Sequence, residues 1–326
     1  MKLKILFTFL MAGAFLLFSS QAEAQKSNIL IEKGLAYLAS VQSTSKGYEP
    51  TGTSIDPNTL PPESKTAGQW QRPGTTALCL EAFLNDGHNI DDPLYGTVVT
   101  NAINYLLGAQ VQSGYHLGAW GSDEGYETAQ VIFTLKLATI TPLAGGGLIS
   151  GALLTNINNA LEKGLNYYTQ DVQEAWTKVS WRYDRSYTSQ YNGDMSVNQW
   201  VYLAFDIMNY TGKDIWNKIY NYQFNKSCAS GDYSYIGYQS CNTWARGNTC
   251  AGTWGAVLAA DKGVAAASTL KTRYYNYLDN YTLSELIDPS KISTNHVYDG
   301  GGYYYYLYEF SKAMQLSGQT IFAGGN

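Results

Sequence analysis

The chain has 326 residues, of which 45% are hydrophobic and 14% charged, and a formal charge of −5. So mild an acidity argues against nucleic acid and against an anionic membrane surface as partners. The length falls at the upper edge of one domain or at two small ones.

Residues 1–24 read as a secretory signal peptide. Lys2 and Lys4 precede the apolar run Ile5–Phe18, and Ala22-Glu23-Ala24 is a small-x-small cleavage site. The run is too short to span a bilayer, which takes ~20 predominantly apolar residues. The mature protein, residues 25–326, is therefore expected to be secreted or periplasmic, with no membrane span. Setting aside Lys2, Lys4 and Glu23 leaves 19 basic and 25 acidic side chains, a charge of −6.

Two helix patterns then alternate. The first opens on polar residues and carries an aromatic stripe: Glu32–Leu38, Asn101–Leu106 and Glu162–Tyr168, followed at similar offsets by Gln42, Gln110 and Gln173. Lys271–Leu278 is a weaker copy, and Asp214–Phe224 can stand in this role. The second pattern opens on a hydroxyl residue and is almost uncharged: Thr76-Ala77-Leu78, Thr128-Ala129-Gln130, Ser196-Val197-Asn198 and Thr253-Trp254-Gly255. Tyr303–Leu316, after Gly300-Gly301-Gly302, makes a fifth. A helix apolar on most sides is a buried one.

Strand signals are almost absent, and Gly and Pro cluster at the joints. Ser196 and Gln199 have the spacing of a capping box ahead of an apolar helix, and Asp91-Asp92-Pro93 reads as helix capping. One fully buried helix paired with one half-buried helix in each unit favours a closed double layer. The expected fold is all-α: an α/α toroid of five or six helix pairs, forming a single domain over 25–326.

Cys228, Cys241 and Cys250 share a Gly/Ser/Asn-rich stretch, Ser227–Ala251, expected to be an irregular loop held by a disulfide of open pairing. Cys79 sits mid-helix as a small buried hydrophobe. His88, His116 and His296 form no ligand-type pair, so neither metal nor cofactor is expected.

These residues resemble a known group. Gln110 through Gly118-Ala119-Trp120 looks like the Q…GxW element of terpene-cyclase repeats. Trp181-Arg182-Tyr183 with Gly193–Trp200 looks like the WRY…GDxSVxxW stretch of secreted bacterial proteins of the prenyltransferase/squalene-oxidase repeat group. Tyr303–Tyr308 with Ala313-Met314 looks like that group's aromatic last inner helix. The resemblance implies an α/α toroid with a central cavity and fixes no activity. The DxDD acid of squalene-type cyclases, the zinc site of protein prenyltransferases and the GCGEQ thioester motif are all missing, so a functional squalene-type cyclase is not expected.

In such a toroid the inner-helix N-termini gather at one mouth, each with unsatisfied N–H groups and about half a positive charge. The residues expected to line it are Glu127, Asp194, Asp299, His296, Arg182 and Tyr183, with the aromatic rings of Trp200, Trp254 and Tyr303. Asp194 paired with Glu127 or Asp299 would suit general acid–base work. Asp194 and Glu127 equally suit the N-termini of their own helices. Arg182 suits an anionic ligand, or a pair with Asp184 or Asp194. His296 beside Asp299 suits a base and its neighbour, or a solvated loop.

The 28 tyrosines suit either ring-stacking surfaces or wide gaps between helices. The expected function is binding of a small molecule, a terpenoid-like ring system, a glycan or a peptide in an aromatic, mildly acidic cavity. The alternative is a secreted polysaccharide hydrolase or lyase using carboxylates at the inner-helix mouth. Oligomeric state is left open.

Overall fold

The computed structural model describes residues 31–40, 42, 73–185, 188–237, 245–281 and 310–315. Helix dominates them. In chain order they form α1 (residues 31–40), α2 (Pro73–Asn85), α3 (Gly96–Ala109), α4 (Glu124–Ile140), α5 (Gly151–Thr169) and α6 (Met195–Ile207). A 3-10 turn (Gly212–Asp214) leads into α7 (Ile215–Lys226), then come β1 (Cys228–Ser230), β2 (Tyr233–Tyr235), α8 (Ala245–Asp261), α9 (Ala265–Tyr281) and α10 (residues 310–315). The signal-peptide segment lies outside the described residues. Among them, no helix is long and apolar enough to cross a membrane.

The two helix patterns are both present and alternate as the sequence predicts. α6 buries every residue from Val197 to Phe205, and α4 buries Val131 to Leu135 without a break, so neither has a solvent face there. α3 and α5 instead bury one stripe each, Val99, Ala102, Ile103 and Leu106 in one, Ile157, Ala160, Leu161, Gly164 and Tyr168 in the other. Three- and four-residue spacing puts such a stripe on one side of a helix.

The chain divides into two compact units, residues 1–169 and 170–326. In the first, buried α2 packs on buried α4, with α3 against α2 and α5 against both α3 and α4. In the second, buried α6 packs on buried α8, and α7 and α9 both lie against α8. In each unit, then, two largely buried helices pack together with amphipathic ones against them, although α2 keeps Leu78 exposed.

The glutamines after the amphipathic helices act as stitches. Gln42 Nε2 donates to Val98 O in α3 at 2.9 Å, and Gln110 Nε2 donates to Ala160 O in α5 at 2.8 Å and to Gly118 O at 3.1 Å. Each thereby ties one amphipathic helix to the next. Gln173 breaks the pattern, because its main-chain carbonyl accepts from Lys218 Nζ of α7 at 3.2 Å. The Q…GxW element closes on Trp120, wholly buried, whose Nε1 donates to Leu106 O at 2.6 Å. Gly164 makes room for that ring, since a Cβ there would come within 2.8 Å of it. A large side chain buried this way contributes ~1.5–3 kcal/mol.

Three boundaries differ from the sequence expectation. α6 is capped by Asp194, which accepts from Ser196 N, and Gln199 donates to Ser196 O at 3.0 Å instead of closing a capping box. α8 begins at Ala245, so Thr253 is interior; its hydroxyl donates to Thr249 O at 2.8 Å. A threonine can satisfy itself one turn back in this way, so a hydroxyl does not mark a helix start. The stretch expected to be an irregular loop carries an antiparallel hairpin pairing Cys228 with Tyr235, which turns at Gly231-Asp232. Arg273 of α9 holds the hairpin, donating to Ser234 Oγ at 2.8 Å and Gly231 O at 3.0 Å. Of the capping pair at 91–92, Asp92 receives the Leu94 and Tyr95 amides, while Asp91 reaches the amides of Ala144 and Gly145.

Cys250 is a buried cysteine in α8 that forms no disulfide, which removes it from the expected bridge. Cys228 is disulfide-linked, and Cys241 lies outside the described residues. Cys79 is free, and burial pushes its thiol up to about 12. Its reactive thiolate is therefore scarce at pH 8 in the folded protein. Iodoacetamide with peptide mass mapping should label Cys79 and Cys250 only after denaturation, and Cys228 only after reduction as well. A second prediction concerns the stitch. Gln110→Ala strands two buried carbonyls, and urea unfolding should show a loss of about 1–3 kcal/mol.

Candidate functional site

The entrances to α4, α6 and α8 are built alike. The amide of an incoming loop residue is received by a short polar side chain in the first turns of the helix. Trp120 N donates to Thr128 Oγ1 at 2.9 Å in α4, Trp181 N to Asn198 Oδ1 at 2.8 Å in α6, and Ile236 N to Thr249 Oγ1 at 3.1 Å in α8. A tyrosine from the following amphipathic helix then donates to a nearby carbonyl. Tyr168 OH reaches Gly125 O and Tyr222 OH reaches Gly193 O, both at 2.8 Å.

In the first unit, Glu127 stands in the first turn of α4 and is 4% exposed. One carboxylate oxygen accepts from Gly74 N of α2 at 3.0 Å; the other accepts from Ser122 N at 3.1 Å and Asp123 N at 3.2 Å. It satisfies amides at the N-termini of two helices at once, as an acidic group there should. The charge also acts on Tyr105, whose phenol is raised to about 12 by burial and, secondarily, by Glu127.

One turn earlier, Glu124 holds His116. His116 Nδ1 lies 2.8 Å from the Glu124 carboxylate, and Tyr167 OH donates to the same carboxylate at 2.7 Å. The His116 side chain is 47% exposed and Glu124 is 11% exposed, so a buried carboxylate fixes a half-exposed imidazole. This commits Nδ1 and fixes the orientation of the ring.

In the second unit, Asp194 is 2% exposed. Its Oδ1 accepts from Ser196 N at 2.9 Å and Ser196 Oγ at 2.5 Å. Its Oδ2 is buried and has no hydrogen-bond partner among the described residues. Asn198 and Tyr202 follow at four-residue steps on the same side of α6. Asn198 Nδ2, the Tyr202 hydroxyl and both amide atoms of Gln223 in α7 also lie buried without a hydrogen bond of full geometry. Gly193 is required beside them, because a Cβ there would collide with Ser180. Burial holds the Tyr202 hydroxyl protonated against the lowering pull of the Gln223 amide beside it, and burial together with the Asp194 charge does the same for Tyr222, against the lowering pull of Ser180. α6 thus carries a seam of polar groups away from its capped end, inside an apolar surround.

Of the other expected site residues, some lie outside the described residues and the rest have local partners. Asp299, His296 and Tyr303 lie outside the described residues. Arg182 sits 6.0 Å from the centre of the Tyr183 ring, which is 40% exposed. Trp200 and Trp254 pack edge to face at 5.8 Å and are 4% and 0% exposed, so both serve the α6–α8 contact. Glu127 belongs to the first unit and Asp194 to the second. The sequence reading missed Glu124, Tyr167, Asn198, Tyr202 and Gln223. Nothing in the local sequence distinguishes these from ordinary helix residues, because their roles depend on partners 8 to 44 positions away or on burial alone.

Glu127→Ala strands three amides, and chemical denaturation should show a loss on the order of 3 kcal/mol. Compared with known proteins, the chain matches no family model and no curated protein sequence.

Proposed function

We propose that this chain is an exported α/α toroid of the prenyltransferase/squalene-oxidase repeat type that binds a hydroxyl-bearing small molecule or glycan, with Asp194 at the ligand. The alternation of buried and amphipathic helices, the glutamine stitches and the Trp120 element support the fold part of this reading. The single observation that carries the binding part is Asp194 Oδ2. A buried carboxylate oxygen without a donor is costly, and native structures rarely leave one so. A ligand hydroxyl supplies the missing donor, and Asn198, Tyr202 and Gln223 offer further polar atoms along the same side of α6. Glu127 favours binding over hydrolysis, because its carboxylate is engaged by three backbone amides.

Asp194→Asn keeps an oxygen for Ser196 N and changes only the charge and the second position. Across a panel of soluble oligosaccharides and terpenoid alcohols, titration calorimetry should find a ligand for the unmodified chain. For that ligand Asp194→Asn should weaken affinity at least about tenfold, or 1.4 kcal/mol, with little change in melting temperature. A large stability loss with unchanged affinity would make Asp194 a cap alone, and no binding by the unmodified chain would remove the reading.

A further inference from the structure

Glu32 lies in the first turn of α1, and Asp86 and His88 lie in the turn that follows α2. One carboxylate oxygen from each acid and one imidazole nitrogen lie within 4.8 Å of one another. A third acid stands behind the imidazole. Asp92 Oδ2 is 2.9 Å from His88 Nδ1, while Asp92 Oδ1 is fixed by the amides of Leu94 and Tyr95 at 2.8 and 2.7 Å. The Tyr95 ring packs edge-on against His88 at 4.8 Å between centroids. The imidazole is therefore oriented by a carboxylate that is itself held by backbone.

The other ring nitrogen is the telling one. With its proton on Nδ1 toward Asp92, a neutral His88 presents a lone pair at Nε2. Nε2 is shut off from solvent and lies 3.2 Å from Asp86 Oδ2, yet has no hydrogen-bond geometry toward any group. An acceptor thus faces an acceptor, and a proton on Nε2 would be misaligned for Asp86. Among the described residues, no lysine or arginine forms an ion pair with Glu32, Asp86 or Asp92. Three carboxylates around one imidazole leave the cluster strongly negative.

We propose that Glu32, Asp86 and His88 bind a divalent transition metal ion, zinc on the basis of the donor set, with Asp92 as a positioning residue. One imidazole nitrogen and two carboxylate oxygens suit zinc, with water completing a tetrahedral shell. A carboxylate behind the ligating imidazole is the usual outer-shell partner that fixes its tautomer. The ion would sit between two lone-pair donors that otherwise repel, and would tie the first turn of α1 to the turn after α2. The far end of α1 is already tied, through Gln42, to Val98 and Asn101 of α3. Histidine spacing alone could not reveal this site, because its ligands come from separate helices and only one is a histidine.

The test uses the untagged chain, stripped with EDTA and titrated by calorimetry with ZnCl2, and in parallel with MnCl2 and CaCl2. One-site zinc binding that raises the melting temperature is expected. Glu32→Gln, at an exposed position that leaves the fold intact, and His88→Gln should each weaken it at least about tenfold. Asp92→Asn should weaken it ~10–100-fold while keeping the one-to-one stoichiometry, the signature of an outer-shell partner. Cobalt substitution should give a visible absorption spectrum that His88→Gln abolishes. No zinc binding, or binding unchanged in Glu32→Gln and His88→Gln, would overturn the proposal; the second result would send the ion to another site such as His116 and Glu124. None of these outcomes depends on Asp194 or its ligand.

Discussion

The rest of this structure depends on how an incoming loop delivers its backbone to a buried helix. A helix without a solvent face cannot leave its first amides, or the loop that feeds it, to water. Thr128, Asn198 and Thr249 solve this by accepting the amides of Trp120, Trp181 and Ile236 from inside the helix. The side chain must be short and polar, because a longer one would displace the neighbouring buried residues. Each such bond nets only about 1 kcal/mol, but the alternative is a stranded buried amide costing about 1–3. That asymmetry pins Trp120 and Trp181 at the point where each chain segment turns inward.

The same constraint sorts the carboxylates. Glu127 and Asp194 occupy comparable places, at the first turn of α4 and the cap of α6, where the helix field favours negative charge. Glu127 accepts from three amides drawn from two helix entrances. Asp194 serves Ser196 alone and keeps Oδ2 apart. What separates a structural acid from a candidate binding acid is therefore how many donors reach it, and a sequence motif cannot count them.

Sequence periodicity resolved what depends on neighbours a few residues apart. The stripes of α3, α5 and α9 were readable because amphipathic helices write their burial at three- and four-residue spacing, and the offsets of Gln42 and Gln110 were readable because they recur. Boundaries of buried helices were less so. Thr253 resembles a helix start only because an uncharged run follows it, and the true start at Ala245 is preceded by no stronger signal. The hairpin at 228–235 was legible in principle from Gly231-Asp232 between short runs, but three-residue strands are too brief for period-two alternation to stand out. The site was least legible. His116 finds Glu124 across the Trp120 loop, and His88 finds Glu32 from another helix.

The tyrosine content now divides by environment. Tyr167, Tyr168 and Tyr222 spend their hydroxyls on Glu124, Gly125 and Gly193, bridging amphipathic helices to buried-helix entrances. Here the ring fills the gap between layers while the hydroxyl satisfies a group that water cannot reach, the pairing of properties that distinguishes Tyr from Phe. Tyr202 has the same burial but meets only the Gln223 amide, without a hydrogen bond of full geometry, and it lies on the side of α6 that carries Asp194 and Asn198. In a low-dielectric surround an added hydrogen-bond donor is worth more than in water, and a missing one costs more. A seam that carries both donors and acceptors without full hydrogen bonds, Asn198 Nδ2 and the Tyr202 hydroxyl among the first and Asp194 Oδ2 among the second, is where a bound molecule would gain most per contact.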